Sequence, residues 1–300
     1  MARVRQDESE VVEVPNDQGP AVQSKLLRDE LVRLRREREL TQDEVARELD
    51  WSAAKMIRLE GGKNPIQKSD LQVLLGVYGV DSRETIDRLQ ELAAGARQPA
   101  WWSTFKSDFP DAYLSYIGYE AGAASIKQSQ HSTVPGLLQT EEYADAIGGG
   151  TNQAIRTRFR LRRQEELELR STPPARHFLL DEAVIRRHVG VQEDAGLMPR
   201  QLRHVTEVVR ANELVTVQVV PFSAGQHEGM RGAFTILEFE GDLGDVLFLE
   251  SRQETVTVIG DDERISDHKE AFESIRDIAL SPAASLQLIE SMIAQMTEAS

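Results

Sequence analysis

Residues 41–60 carry the pattern that most limits how this chain folds. Thr41-Gln42-Asp43-Glu44 is a capping box, a hydroxyl at the N-cap with a carboxylate three residues on. The helix it opens is short, with Val45, Ala46 and Leu49 as its apolar stripe before Asp50. Ser52 offers a second cap. Met56 and Leu59 give the next short helix its inner face, and Gly61-Gly62-Lys63-Asn64-Pro65 stops it. Only Asp50 and Trp51 remain for the turn. Helices joined so tightly must cross steeply, and the first needs a small residue at the crossing. Ala46 is that residue, and Trp51 is the turn hydrophobe. The pattern predicts a helix-turn-helix, whose first helix lies over a DNA backbone and whose second enters the major groove.

The flanking sequence extends this into a five-helix, all-α unit over 24–98. Leu27, Leu31 and Leu34 follow Ser24 at helical spacing, and the periodicity fades near Glu39. Two further helices are expected over about 67–78 and 82–96, separated by Tyr78-Gly79-Val80-Asp81. Residues 1–23 are acidic, lack periodicity and hold Pro15, Asn16, Gly19 and Pro20, so they read as a disordered tail. They also lack the apolar segment of a signal peptide. Arg97-Gln98-Pro99-Ala100 breaks the helical pattern and marks the expected boundary.

Residues 99–300 alternate helical and strand patterns and predict an α+β domain with a mixed sheet of about five strands. Leu214 to Val220 alternates with period two. Further strands are expected over 176–180, 234–239, 246–249 and 255–259. Helices are expected over 154–170, 202–212, 262–280 and 284–296. Seven of the 17 aromatics fall within 101–119, with Phe105, Phe109, Tyr113 and Tyr116 at helical spacing. They read first as a helix in the core, and second as the wall of a ligand pocket or an element coupling the domains.

Charge divides along the same line. The chain carries −15 overall, with 14 basic and 14 acidic residues in 24–98 but 19 basic against 31 acidic in 99–300. Within 24–68 there are 11 basic against 9 acidic residues, which makes this the one stretch suited to phosphates, and the larger domain repels them. With no cysteine and no apolar run near the length of a membrane span, the expectation is a cytoplasmic protein, nucleoid-associated when on DNA.

Leu40 to Leu49, followed by Ser52, Lys55-Met56-Ile57-Arg58-Leu59-Glu60 and Gly61-Gly62-Lys63, resembles the Xre and phage-repressor-like class of helix-turn-helix regulators. That class usually has glycine in the turn where this chain has Asp50, which must then adopt a positive φ. Carried over by position, the resemblance places Ser52, Ala53, Ala54, Ile57 and Arg58 on the groove-facing side of the recognition helix. Lys55 falls beside them. Gln42 starts the first motif helix, and Lys63 and Asn64 follow the second, all three against phosphate. Direct readout then rests largely on Arg58, the residue type that bonds guanine in bidentate fashion, with Lys55 as a second candidate.

Further segments extend the likeness. They are Trp101-Trp102 with 116–121, 134–144, 180–187 and 219–225, and they are similar to the WhiJ-like regulators of actinobacteria. The C-terminal domain of that family is described as antitoxin-like and is often called a domain of unknown function. The resemblance implies a transcriptional regulator that pairs with a small BldB-like protein. It marks Trp101, Trp102, Tyr116, Leu137, Gln139, Tyr143 and Phe222 as candidate partner or ligand contacts. The Pro135 to Thr140 stretch reads as a structural clasp or as such a contact.

Other chemistries find little footing. No metal or cofactor motif occurs: there is no HExxH, no phosphate-binding glycine loop and no nucleophile elbow. His227-Glu228 reads as part of a glycine-rich surface loop, and Asp181-Glu182 as the cap of a following helix. The favoured function is a sequence-specific DNA-binding regulator, not an enzyme, whose C-terminal domain takes a partner or effector. Alternatives are an antitoxin-like neutraliser with autoregulatory DNA binding and, further off, a hydrolase. One helix-turn-helix holds few phosphates, so a homodimer on an inverted-repeat operator is expected, with the stripes of 262–280 and 284–296 as pairing surfaces.

Overall fold

The computed structural model describes residues 19–62, 64–149, 152–241, 243–250, 255–260 and 262–298. Five helices open the chain: α1 (Gly19–Glu37), α2 (Gln42–Glu48), α3 (Ala53–Glu60), α4 (Lys68–Val77) and α5 (Arg83–Gly95). Their shared core includes Leu27, Leu31, Val45, Ala46, Met56, Leu59, Leu74, Tyr78 and Leu89. Both caps form as the residue types dictate. Glu44 N–H donates to Thr41 Oγ1 at 3.2 Å while Thr41 N–H donates to Glu44 Oε2 at 2.8 Å. Lys55 N–H donates to Ser52 Oγ at 3.2 Å. Asp50 adopts φ +54, the left-handed turn conformation expected of it.

Helix α1 begins five residues before Ser24. Residues 19–23, expected to belong to an unstructured tail, are helical, and residues 1–18 lie outside the described residues. Pro20 is compatible with this start, because a proline in the first helical turn lacks only an N–H that has no intrahelical partner. The early turn is held by packing that sequence periodicity within one domain does not show. Val22 is fully buried in the core of the second domain, and Gln23 is buried against Gly95. One helix thus serves two cores.

The second domain is built on a six-stranded sheet. Its strands are β1 (Ser125–Gln130), β2 (Ala175–Asp181), β3 (Val215–Val220), β4 (Phe234–Glu238), β5 (Val246–Glu250) and β6 (Thr255–Ile259). The order is β3-β2-β1-β4-β5-β6. Strands β1, β2 and β3 run parallel, and β4, β5 and β6 continue antiparallel. Strand β1 sits at the switch between the two halves and is the strand that sequence reading misses. Its residues, Ser-Ile-Lys-Gln-Ser-Gln, lack the apolar content of an interior strand. The reason lies on both faces: Lys127 pairs with Glu238 at 2.8 Å on one, and Gln128 and Gln130 line a cavity on the other.

Helix α6 (Asp111–Glu120) follows a 3₁₀ turn over Trp101–Phe105, so the expected aromatic helix is broken before Asp111, at Pro110. Then come α7 (Glu141–Ile147), α8 (Gln153–Glu168), α9 (Glu182–Arg186) and α10 (Leu197–Ala211), and after the sheet α11 (Glu263–Ile278) and α12 (Pro282–Glu298). Helix α11 lays Ile265, Phe272 and Ile275 on the face carrying Leu179, Ile236 and Leu247. Helices α10 and α12 cover the other face, with Leu202, Val205, Ile289 and Met292 against Val217 and Val219. The stripes expected to pair two subunits are therefore buried within this chain. Any dimer must use other surfaces.

The two cores meet where α1 lies on α6. A side chain on Gly118 would bring its Cβ within 2.8 Å of the Ala21 Cβ and 3.3 Å of the Trp102 ring. Glycine is required there by close helix approach. No helix among the described residues is long and apolar enough to cross a membrane.

Candidate nucleic-acid interface and C-terminal cavity

Helix α3 buries Met56 and Leu59 and turns its other side outward. Ser52, Ala53, Ala54, Ile57 and Arg58 are all exposed on that side. Ile57 is 55% exposed, a large apolar side chain with no packing duty. Arg58 has no side-chain partner among the described residues. These five residues lie on the side of the helix that the domain core leaves open.

The flanking positions differ. Gln42 Nε2 donates to Glu60 Oε2 at 2.6 Å, and Arg35 Nε and Nη2 occupy the same carboxylate at 2.7 and 2.9 Å. Lys55 donates to Asp70 Oδ1 at 2.8 Å, with its ammonium 3.5 Å from the centre of the Trp51 ring. Both side chains are engaged inside the domain. Asn64 is exposed, and Lys63 lies outside the described residues.

The second domain holds a cavity of about 620 Å³. Its floor is a row across three strands, Gln128 on β1, Thr235 on β4 and Phe248 on β5, which are register partners. One wall is aromatic: Phe109, Tyr113 and Tyr116 from α6 and the segment before it, and Phe159 from α8. Phe109 stacks on Tyr113 at 5.6 Å and Tyr116 on Phe248 at 4.0 Å. Helix α8 also brings Arg156, Arg160 and Arg163 to the lining, at i, i+4 and i+7 and hence on one helical face. The loop from His131 to Gln139 closes the side.

The three arginines have different surroundings. Arg163 is buried and bonds the buried Glu120 through Nε and Nη2; Nη2 also reaches the Tyr116 hydroxyl at 2.9 Å. That hydroxyl donates to Glu120 Oε2 at 2.7 Å. Burial, then the facing Glu120 carboxylate, hold the Tyr116 phenol well above its ordinary pKa. Burial also works against the Arg163 charge, yet Glu120 holds its pKa well above the usual value. Arg160 donates to Gln139 Oε1 at 2.6 Å. Arg156 is exposed at the rim and has no partner among the described residues.

The Pro135 to Thr140 stretch forms a clasp. Gln164 Nε2 donates to the carbonyls of Gly136 and Gln139 at 2.8 and 3.0 Å. Gln201 donates to Leu138 O at 2.7 Å and accepts from Thr140 N–H at 2.8 Å. Thr140 caps α7 by accepting from Tyr143 N–H. Of the candidate contacts, Tyr116 and Gln139 line the cavity. Leu137 and Tyr143 are core residues, the latter with its hydroxyl accepting from Val134 N–H at 3.1 Å. Trp101 and Trp102 line a recess of about 340 Å³ beside Gly19 and Pro20 at the junction of the cores. Phe222 stands apart, 58% exposed beside Arg186.

Sequence reading missed the arginine row of α8, because an i, i+4, i+7 set of charges usually marks a solvated face. It also missed Gln128, Gln130 and Thr235, which lie on strands whose faces only the sheet assigns. The loop carrying His227 lies at the surface as expected, with Gly225, Gln226, Met230 and Arg231 exposed, but the His227 ring itself turns inward, with Nε2 3.2 Å from Asp181 Oδ2. Asp181 caps α9 as expected, accepting from Ala183 N–H at 2.7 Å. Among the described residues no group of three His, Asp or Glu side chains is placed to hold a metal ion.

Two family models match the chain. One described as a helix-turn-helix domain covers residues 26–89, and one described as a domain of unknown function (DUF5753) covers residues 113–291. No curated protein and no solved structure matches.

Proposed function

The chain belongs to the family described as domain of unknown function (DUF5753) and carries a helix-turn-helix ahead of that domain; from this premise we propose that it is a DNA-binding regulator with an effector-binding second half. One observation carries the reading. The outward side of α3 presents Ala53, Ala54, Ile57 and an unpartnered Arg58, residues that the domain core does not use. Alanine and isoleucine suit thymine methyl groups, and arginine suits guanine. Gln42 and Lys55 already bond Glu60 and Asp70, which offset part of their pull on phosphate, so they come second to Arg58. Lys63 and Asn64 complete the phosphate contacts.

One such helix reads a single half-site. An inverted-repeat operator and a homodimer follow in this proposal, which accords with the Xre-type and WhiJ-like resemblance. An effector is favoured over a small BldB-like partner protein because two of the candidate contacts, Tyr116 and Gln139, line a recess rather than a protruding surface. Helix α6 forms one wall of that recess and packs on α1 of the DNA-binding half, which gives occupancy a physical route to α3.

Selection of operator fragments from genomic DNA followed by gel-shift titration tests the DNA reading. Arg58→Ala should cost about 1–3 kcal/mol on the selected site and little on random DNA. Unchanged specific affinity would overturn the assignment of α3.

A further inference from the structure

The C-terminal cavity gathers groups that point to one ligand chemistry. Residues 99–300 hold 31 acidic side chains against 19 basic, yet no Asp or Glu is among the residues lining the cavity, while three arginines are. Arg163 is neutralised from behind by Glu120 and so serves the wall rather than a ligand. Arg156 and Arg160 lie further along the same helical face toward the mouth. An arginine fork matches a carboxylate or phosphate with two parallel hydrogen bonds.

The interior adds a second, independent signal. Gln128 and Thr235 on the floor have no side-chain hydrogen bond among the described residues, and neither does the buried Nδ1 of His131. A buried polar atom such as His131 Nδ1 is rarely left unpaired, because the desolvation cost is not recovered, while Gln128 and Thr235 leave their polar atoms open to the cavity. Between the floor and the arginines stands the aromatic wall, which offers flat apolar area. The volume of about 620 Å³ falls in the range of small-molecule sites.

We propose that this cavity binds a small anion with a planar apolar body. Its acidic group is held by Arg156 and Arg160, its body lies on Phe109, Tyr113 and Phe159, and its polar edge meets Gln128 and Thr235. The proposal names the effector class of the reading above and rests on that reading for its regulatory meaning, but binding itself is independent of DNA.

The probe is 1-anilinonaphthalene-8-sulfonate, a fluorescent aromatic anion, titrated into the full chain without DNA. One saturable site with blue-shifted emission is expected. Arg156→Gln/Arg160→Gln should weaken it by about tenfold or more, as loss of charged hydrogen bonds requires. Arg156→Gln alone, at an exposed residue with no internal partner, cannot fail through misfolding and should weaken binding measurably. Leu169→Ala, at an exposed apolar side chain outside the cavity, should change nothing. Displacement by benzoate would assign a carboxylate ligand, and displacement by phenyl phosphate a phosphate. Absence of a saturable site, wild-type affinity in both arginine variants, or displacement by neutral benzamide as strong as by either acid would overturn the proposal. A failure here leaves the DNA assignment standing, and a failed gel shift leaves this result untouched.

Discussion

Removing Glu120 should unfold the second domain far more readily than its single carboxylate implies. Its side chain is 1% exposed and that of Arg163 is 8% exposed, so both charges lie outside bulk water. Arg163 bonds both carboxylate oxygens and the Tyr116 hydroxyl, which itself donates to Glu120. Glu120→Leu leaves the guanidinium with neutral acceptors alone. Breaking a buried pair in this way costs about 3–5 kcal/mol. Arg163→Met leaves the carboxylate with one hydroxyl donor and should cost a similar amount. The double variant buries no charge and should lie within about 1 kcal/mol of the parent, since a buried pair can be replaced by apolar residues at little cost. A coupling of at least about 3 kcal/mol should therefore emerge from the cycle. Urea unfolding followed by tryptophan emission reads it, because Trp102 lies in the same core and Trp101 packs against it. A loss below about 1 kcal/mol for either single variant, or additive losses in the double, would show that the pair is solvated and would refute this reasoning.

Two further outcomes test the rest of the frame. Gly118→Val places side-chain atoms where Ala21 and Trp102 already stand; it should destabilise by about 1–3 kcal/mol and open the junction near residues 97–100 to limited proteolysis. His177 is pushed below its ordinary pKa of 6.5, chiefly by burial and against the hydrogen bond its Nε2 makes to Gln218 Oε1, with Arg276 also lowering it. The unfolded chain then takes up the proton first as pH falls. The stability tied to the neutral ring is complete above about pH 6.5 and is lost as pH drops through the lower folded value. His177→Gln should flatten the fall in Tm between pH 7.5 and 5, and an unchanged slope would contradict it.

The sequence by itself determined the DNA-binding half. Caps, stripes and turn in 41–60 act over a few residues, so Thr41, Ser52, Ala46 and Asp50 could be assigned roles from local chemistry, and the structure has each in that role. The alternating strand over 215–220 and the clasp opened by Pro135 were legible for the same reason. Only the tertiary structure decided the rest. Strand β1 reads as polar loop because its side chains serve a cavity on one face and an ion pair on the other, partners that lie more than 100 residues away at Thr235 and Glu238. Helix α1 starts early because Val22 completes a core otherwise built from residues after 98. Arg156, Arg160 and Arg163 read as a solvated face until the sheet, α6 and the loop after β1 close over Arg163 and partly over Arg160, leaving Arg156 at the rim. Local patterns fix what short-range sterics and hydrogen bonds can decide. A cavity is made by the distance between elements, and that distance is set by packing across the whole domain.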